Sequence, residues 1–351
     1  MPDLKNNKKT GVIGAGSFGT AIANLLAHNT EVLMYGRQQE LVEAINKDRR
    51  HPRLNIKLSE KIRATNDLQE VAGCCDLIFI IVPSANFREV MKKLAPFLHP
   101  YHLLIHGTKG FDLKNLSEQE LQEGKIARRN VRTMSEVIRE ETVVVRIGCL
   151  SGPNLANEIN EGQPTATVIA SKFNEVIREG KKVLSSRQFQ VFDTYEILGA
   201  ELAGALKNII AIGSGVLGGL GLGKNIQALL ITRGLMEMIN FGKAFGVSPK
   251  PFLGTAGIGD LVCTATSKNS RNYYFGYQLG KGLPVEEILA SMPEVAEGVR
   301  TLKIAKHLAD RLKLHVPITQ MLYRGVYEGF DVKKAIEYLM RYPYHVDVDF
   351  M

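Results

Sequence analysis

Two groups of residues in this 351-residue chain have the types and spacing to do chemistry. The first is Gly14-Ala15-Gly16-Ser17-Phe18-Gly19, a GxGxxG pattern directly after the apolar run GVI and directly before the helical run TAIANLLAH. There each glycine has a physical reason: a tight turn, close backbone approach to a pyrophosphate, and close packing of helix on strand. The helix N-terminus then offers unpaired N–H groups and a positive dipole end to phosphates. Where the second strand ends, a NAD-selective site places Asp or Glu on the ribose 2′-hydroxyl, and this chain has Tyr35-Gly36-Arg37 instead. An arginine there can pair with a 2′-phosphate, so NADP is permitted beside NAD; the alternative is that Arg37 is an ordinary surface charge.

The second group starts with Lys207, inside the otherwise apolar run LGAELAGALKNIIAIG, with Ala203, Gly204 and Ala211 at the spacings that share its face. A buried ammonium is costly, so such a lysine either snorkels to solvent or works in a cleft with a partner, and its small neighbours leave room for a ligand. Gly257-Ile258-Gly259-Asp260 presents a carboxylate on a glycine turn that can pair with a lysine, and Ser270-Arg271-Asn272 supplies three polar groups suited to a phosphate. Singly, Asp260 reads equally as a helix cap and Arg271 as a surface charge. Lys109, in HGTKG, and Ser151-Gly152-Pro153-Asn154 both follow strand-like runs, and open α/β folds bind ligands at the carboxyl ends of strands. Two lysines, an aspartate and an arginine beside a dinucleotide suit polarising a carbonyl and holding an anion.

The elements that must position these groups are legible as texture. TGVIGAG, EVLMYG, DLIFIIVP, HLLIHG, VVVRIG, TATVIA and FQVFD alternate with helical patterns and suit strands covered on both faces. Residues 1–194 are expected to form an α/β, doubly wound (Rossmann) parallel sheet that binds the dinucleotide. From Tyr195 the strand signal fades, and residues 195–351 are expected to form an all-helical substrate-binding and catalytic domain.

Composition narrows the class further. The net charge of +8 is spread through segments such as Lys47–Arg53 and Lys125–Arg132 without the aromatic interleaving of a single-strand binding surface, so no nucleic-acid partner is expected. The most apolar segment, Ile209–Leu222, falls short of the roughly 20 residues that span a bilayer and holds five glycines, so a buried segment rather than membrane insertion is expected. MPDLKNNKKT lacks the apolar stretch of a secretory signal, and four cysteines make no CxxC spacing, which together suggest a cytoplasmic protein with free thiols. GGLGLGKN has Asn225 where a P-loop needs Ser or Thr and reads as a helix-to-helix turn. His99, His102 and His106 have no carboxylate or cysteine at ligand spacing, so no metal is expected.

GAGSFGTA, the TKG at Lys109, SGPNLANE, ELAGALKNIIAIG, ITRG, GIGDLVCT, SRN, EVAEGVRT and the late VPIT resemble NAD(P)-dependent glycerol-3-phosphate dehydrogenases, in the family's order. The resemblance implies reversible reduction of dihydroxyacetone phosphate to sn-glycerol 3-phosphate with NADP or NAD, feeding glycerophospholipid synthesis, in a homodimer. It implies Lys207 as general acid/base with Lys109 and Asp260, and substrate contacts from Lys109, Gly152, Asn154, Lys207, Asn208, Asp260, Ser270, Arg271 and Asn272. For the dinucleotide it implies Gly14, Gly16, Ser17, Phe18, Gly19, Arg37, Lys109, Ala156, Arg271, Val295 and Glu297. Adjacent Lys207-Asn208 argues against the β-hydroxyacid dehydrogenase pattern, which separates the two. The sequence departs from the family pattern at Asn154, where members often carry Ser or Thr, and from Asn115 to Arg132, a segment longer than that pattern implies.

Overall fold

Uninterrupted runs of Val, Ile, Leu and Phe have to be covered on both faces, and in this chain they build one sheet. The computed structural model describes residues 9–292, 294 and 296–341. Its strands are β1 (Thr10–Ile13), β2 (Val32–Tyr35), β3 (Ile62–Thr65), β4 (Leu77–Ile80), β5 (Leu103–His106), β6 (Ile147–Ser151), β7 (Thr165–Ser171) and β8 (Phe189–Thr194). They lie in the order β8-β7-β6-β5-β4-β1-β2-β3, a doubly wound sheet that reverses direction of winding between β1 and β4. Every residue of β1, β4 and β5 is buried.

Three sheet details differ from the reading of the sequence. The run VVVRIG is not itself a strand: β6 begins at Ile147, Val143 and Val145 are exposed, and Arg146 is held by Glu175 and the Pro100 carbonyl. β3 was masked in the sequence by Arg63, which interrupts its apolar residues and points to solvent. The sheet is also not wholly parallel, because β6 and β7 run antiparallel. The connection between them carries only the five-residue helix Ala156–Asn160, about 7.5 Å long, too short to return the chain along a strand of about 20 Å.

Two compact units divide the chain: residues up to Thr108 with Met134–Ile197, and Lys109–Thr133 with everything from Leu198. The division anticipated at 194/195 left 109–133 with the sheet; Phe111, Leu121, Ile126 and Val131 instead sit in the core of the second unit, which therefore contains the small strand pair Asp112–Leu113/Val131–Arg132.

Among the described residues the second unit is otherwise helical. Its central helix, Ile197–Gly219, is longer than the apolar run suggested and passes a length-and-composition test for crossing a membrane, yet 89% of that apolar window is buried inside the fold. GGLGLGKN is the turn from this helix into Lys224–Ala244. Helix Arg271–Gly280 crosses the central helix backbone to backbone. A side chain at Gly276 would put its Cβ 1.9 Å from the Ile212 carbonyl oxygen, and one at Gly215 would put its Cβ 2.1 Å from that of Tyr273, so these positions admit only glycine. In VPIT, the buried Glu237 carboxylate accepts from the Ile318 and Thr319 N–H groups and the Thr319 hydroxyl, capping helix Pro317–Tyr327.

Candidate active site

In the first unit the glycine loop leaves β1 at the switch point of the sheet. Gly14 has φ +119°, and a Cβ there would fall 2.0 Å from the Ile81 carbonyl oxygen just past β4. Gly16 caps helix Ser17–Leu26 in extended conformation, and a Cβ on Gly19 would fall 1.9 Å from the Gly14 carbonyl oxygen. Glycine at 14 and 19 thus lets the loop pack against the chain past β4 and against its own helix, with a helix N-terminus starting from it, which fits a dinucleotide pyrophosphate. Phe18 lies against the carboxyl end of β5, where a Cβ on Gly107 would come within 3.0 Å of its ring. Arg37 is exposed just beyond β2.

One support of this loop escaped the sequence reading. His51 is buried, its Nδ1 accepts from the Leu54 N–H at 3.2 Å, and its Nε2 lies 2.9 Å from the Ala15 carbonyl oxygen. With one ring nitrogen accepting, the other must carry the proton and donate to the loop. No spacing rule marks a histidine 36 residues from its partner.

Gly152 and Asn154 are shaped by β7. Gly152 has φ +138° with room of only 3.1 Å to the Thr167 Cα, while the Asn154 amide donates to the Ala166 carbonyl at 3.1 Å and accepts from the Thr167 hydroxyl at 2.8 Å. Ala156 opens the short helix that follows.

The second unit brings together three of the expected charges. Lys207 is 5% exposed on the central helix, and Asp260 is 1% exposed at the first turn of helix Asp260–Thr266, delivered by a π-helical turn over Thr255–Gly259. The carboxylate is shared: Oδ1 takes the Lys207 ammonium, and Oδ2 takes that of Lys109 at 2.7 Å. Lys207 also donates to the Thr264 hydroxyl at 2.5 Å. Thr264 was missed by the sequence reading; the available signal was its position four residues after Asp260, one helical turn on the same face. Burial pushes the Lys207 ammonium down to about 8; Asp260 opposes that shift and Lys109 reinforces it.

SRN divides its labour. Ser270 caps its helix by accepting from the Tyr273 N–H at 3.3 Å. Asn272 donates to the Asn208 side-chain oxygen at 2.9 Å and accepts from the Gly298 N–H at 2.9 Å, so both ends of its amide knit helices together beside Lys207. Arg271 is not in the lysine cluster: it is about half exposed and paired with Glu294 at 2.9 Å. Glu297 opens helix Glu297–Leu312, and Val295 lies outside the described residues. Among the described residues no three His, Cys, Asp or Glu side chains group as metal ligands; His102 bonds instead to the His99 and Ala72 backbone.

A doubly wound sheet with a glycine cradle at its switch point, combined with a helical unit holding a buried lysine on a shared carboxylate, defines a nicotinamide-dependent dehydrogenase. Models of the NAD-dependent glycerol-3-phosphate dehydrogenase N-terminus and C-terminus match residues 9–177 and 196–337. The chain belongs to the NAD-dependent glycerol-3-phosphate dehydrogenase family. It is 40% identical to the glycerol-3-phosphate dehydrogenase (NAD(P)+) of Azotobacter vinelandii over 343 residues, 97% of this chain and 96% of that one. The enzyme of that name from Pseudomonas fluorescens is 40% identical over 351 residues, covering 99% and 98%. The crystal structure of glycerol-3-phosphate dehydrogenase from Coxiella burnetii superposes with a TM-score of 0.86 at 31% identity, covering 95% of this chain and 99% of that one.

Proposed function

We propose that this protein interconverts dihydroxyacetone phosphate and sn-glycerol 3-phosphate with NADPH or NADH, Lys207 moving the proton, as a cytoplasmic homodimer supplying glycerophospholipid synthesis. The observation that carries the reading is the buried Lys207, with its proton affinity lowered and its position fixed by Asp260 and Thr264. The dinucleotide, when bound, supplies or accepts the hydride at C2 of the substrate. Negative charge then grows on the C2 oxygen, and the Lys207 ammonium stabilises it and gives it a proton. In the reverse direction the neutral amine takes that proton back. Lys109 adds a second positive charge to the same carboxylate and helps to keep Lys207 able to release its proton. Gly14, Gly16, Ser17, Phe18 and Gly19 hold the pyrophosphate side of the dinucleotide, with Arg37, Ala156, Val295 and Glu297 as further contacts. Gly152, Asn154, Asn208, Ser270, Arg271 and Asn272 position the substrate.

The test is consumption of NADH and of NADPH, followed by their ultraviolet absorbance, against a panel of phosphorylated ketones; turnover of another ketone in preference to dihydroxyacetone phosphate overturns the reading. Arg271 gives a sharper result. If its guanidinium grips the substrate phosphate in place of Glu294, Arg271→Lys lowers kcat/KM for dihydroxyacetone phosphate by about ten-fold to a hundred-fold, because an ammonium lacks the planar fork. Activity on unphosphorylated dihydroxyacetone stays where it was. Equal losses on both substrates would assign Arg271 to structure or to the cofactor. For Arg37, exposed beyond β2, Arg37→Asp shifts the ratio of kcat/KM values from NADPH toward NADH; an unchanged ratio removes it from the cofactor site.

A further inference from the structure

Between helix Gln39–Asp48 and β3 the chain makes a small antiparallel hairpin, Arg50–His51 against Ile56–Lys57. Its returning leg is tied to helix Ser17–Leu26: the Asn24 amide donates to the Lys57 carbonyl at 3.1 Å, and the Asn24 side-chain oxygen accepts from the Ser59 N–H at 3.2 Å. The hairpin touches the dinucleotide site at two points. His51 holds the Ala15 carbonyl of the glycine loop, and Arg53, in the turn two residues on, donates to the Gln38 side-chain oxygen at 2.6 Å. Gln38 directly follows Arg37 beyond β2. The two points belong to one rim, because a Cβ on Gly36 would lie only 3.6 Å from that of Ala15.

This rim is cationic, and its charges are not spent on acids. Arg37 and Arg53 are exposed, and among the described residues no carboxylate forms an ion pair with either. Glu89, which senses the Arg37 charge, is itself paired with Lys93 at 2.6 Å. A guanidinium carries five N–H groups, so a single bond to Gln38 leaves most of the Arg53 fork available. That bond also orders the side chain in advance, so it loses less entropy on binding than a free surface arginine. The adenosine ribose of a bound dinucleotide lies beyond the carboxyl end of the second strand, and there a 2′-phosphate needs cations with several donors.

We propose that Arg53 is a second specificity-determining residue for the cofactor, joining Arg37 around the adenosine 2′-phosphate and favouring NADP(H) over NAD(H). The inference rests on the dinucleotide site of the proposed function and not on the identity of the ketone. The hairpin then has two separable roles. His51 steadies the loop that receives the pyrophosphate common to both cofactors, and Arg53 reads the group by which they differ.

The test is calorimetric measurement of Kd for NADPH and for NADH with the full chain and no ketone present. Arg53→Gln raises Kd for NADPH about ten-fold more than Kd for NADH, the loss of one charge-assisted contact. Arg53→Lys, which keeps the charge without the fork, falls between wild type and Arg53→Gln. The pair 2′,5′-ADP and 5′-AMP, which differ by the same phosphate, shows the same difference. Equal changes for both dinucleotides make Arg53 a mere support for Gln38 and overturn the proposal, as does no change in either. A wild type that binds neither dinucleotide rejects the dinucleotide site itself, and the proposal with it.

Discussion

Lys207→Ala is expected to lower kcat by roughly a hundred-fold to ten-thousand-fold, the range for loss of a general acid, with the fold and dinucleotide affinity retained. The pH profile carries the diagnostic sign. Burial lowers the Lys207 ammonium to about 8, so ketone reduction, which needs the charged form, falls as the pH rises through about 8 in the wild type. Oxidation of the alcohol needs the neutral amine and falls as the pH drops through the same value. Both limbs should vanish in the alanine variant. Survival of either limb, measured as kcat/KM against pH in both directions, would transfer the proton role to another group, with Lys109 the first to test.

Asp260→Asn should strongly destabilise the second unit. It removes a carboxylate that faces both Lys109 and Lys207, and breaking a buried pair costs about 3–5 kcal/mol, less what Lys207 recovers by shedding its proton. Without the carboxylate the Lys207 ammonium is less favoured, so the downturn in reduction moves to lower pH. Stability follows the same linkage. A lysine whose folded pKa is depressed binds fewer protons folded than unfolded, so stability rises with pH through that window. The variant's window starts below the wild-type value of about 8, so its deficit, measured by denaturant unfolding, narrows as the pH rises toward about 8. A deficit independent of pH would mean that Asp260 acts through its own helix rather than through the lysines.

The parts of this site that were legible in sequence are those where backbone or charge leaves little choice. Gly14 and Gly19 are read easily because their Cβ positions coincide with carbonyl oxygens, and Lys207 because an ammonium amid Ala, Leu and Ile needs a partner. Asp260 and Lys109 could be proposed as partners but not paired, since 151 residues separate them. Strand direction left no mark: the buried run of β7 resembles those of the parallel strands β1, β4 and β5, and only the shortness of the helix before it turns the chain back. Asn154 and Asn272 were read as groups for a ligand, yet their amides are engaged by Thr167, Ala166, Asn208 and Gly298, contacts that exist only once distant elements have packed.

The membership of Lys109–Thr133 in the second unit bears on how the polypeptide can acquire its structure. Synthesis delivers this stretch long before Leu198, in the middle of the sheet's own strands. Phe111, Leu121, Ile126 and Val131 must therefore wait for helices still unmade, and the second core cannot close on a ribosome until nearly the whole chain has emerged. A fragment cut at the apparent texture change near Tyr195 lacks those four core side chains and Lys109 as well. The chain can be divided into two units in space, but not by a single cut into two pieces that each hold a complete interior.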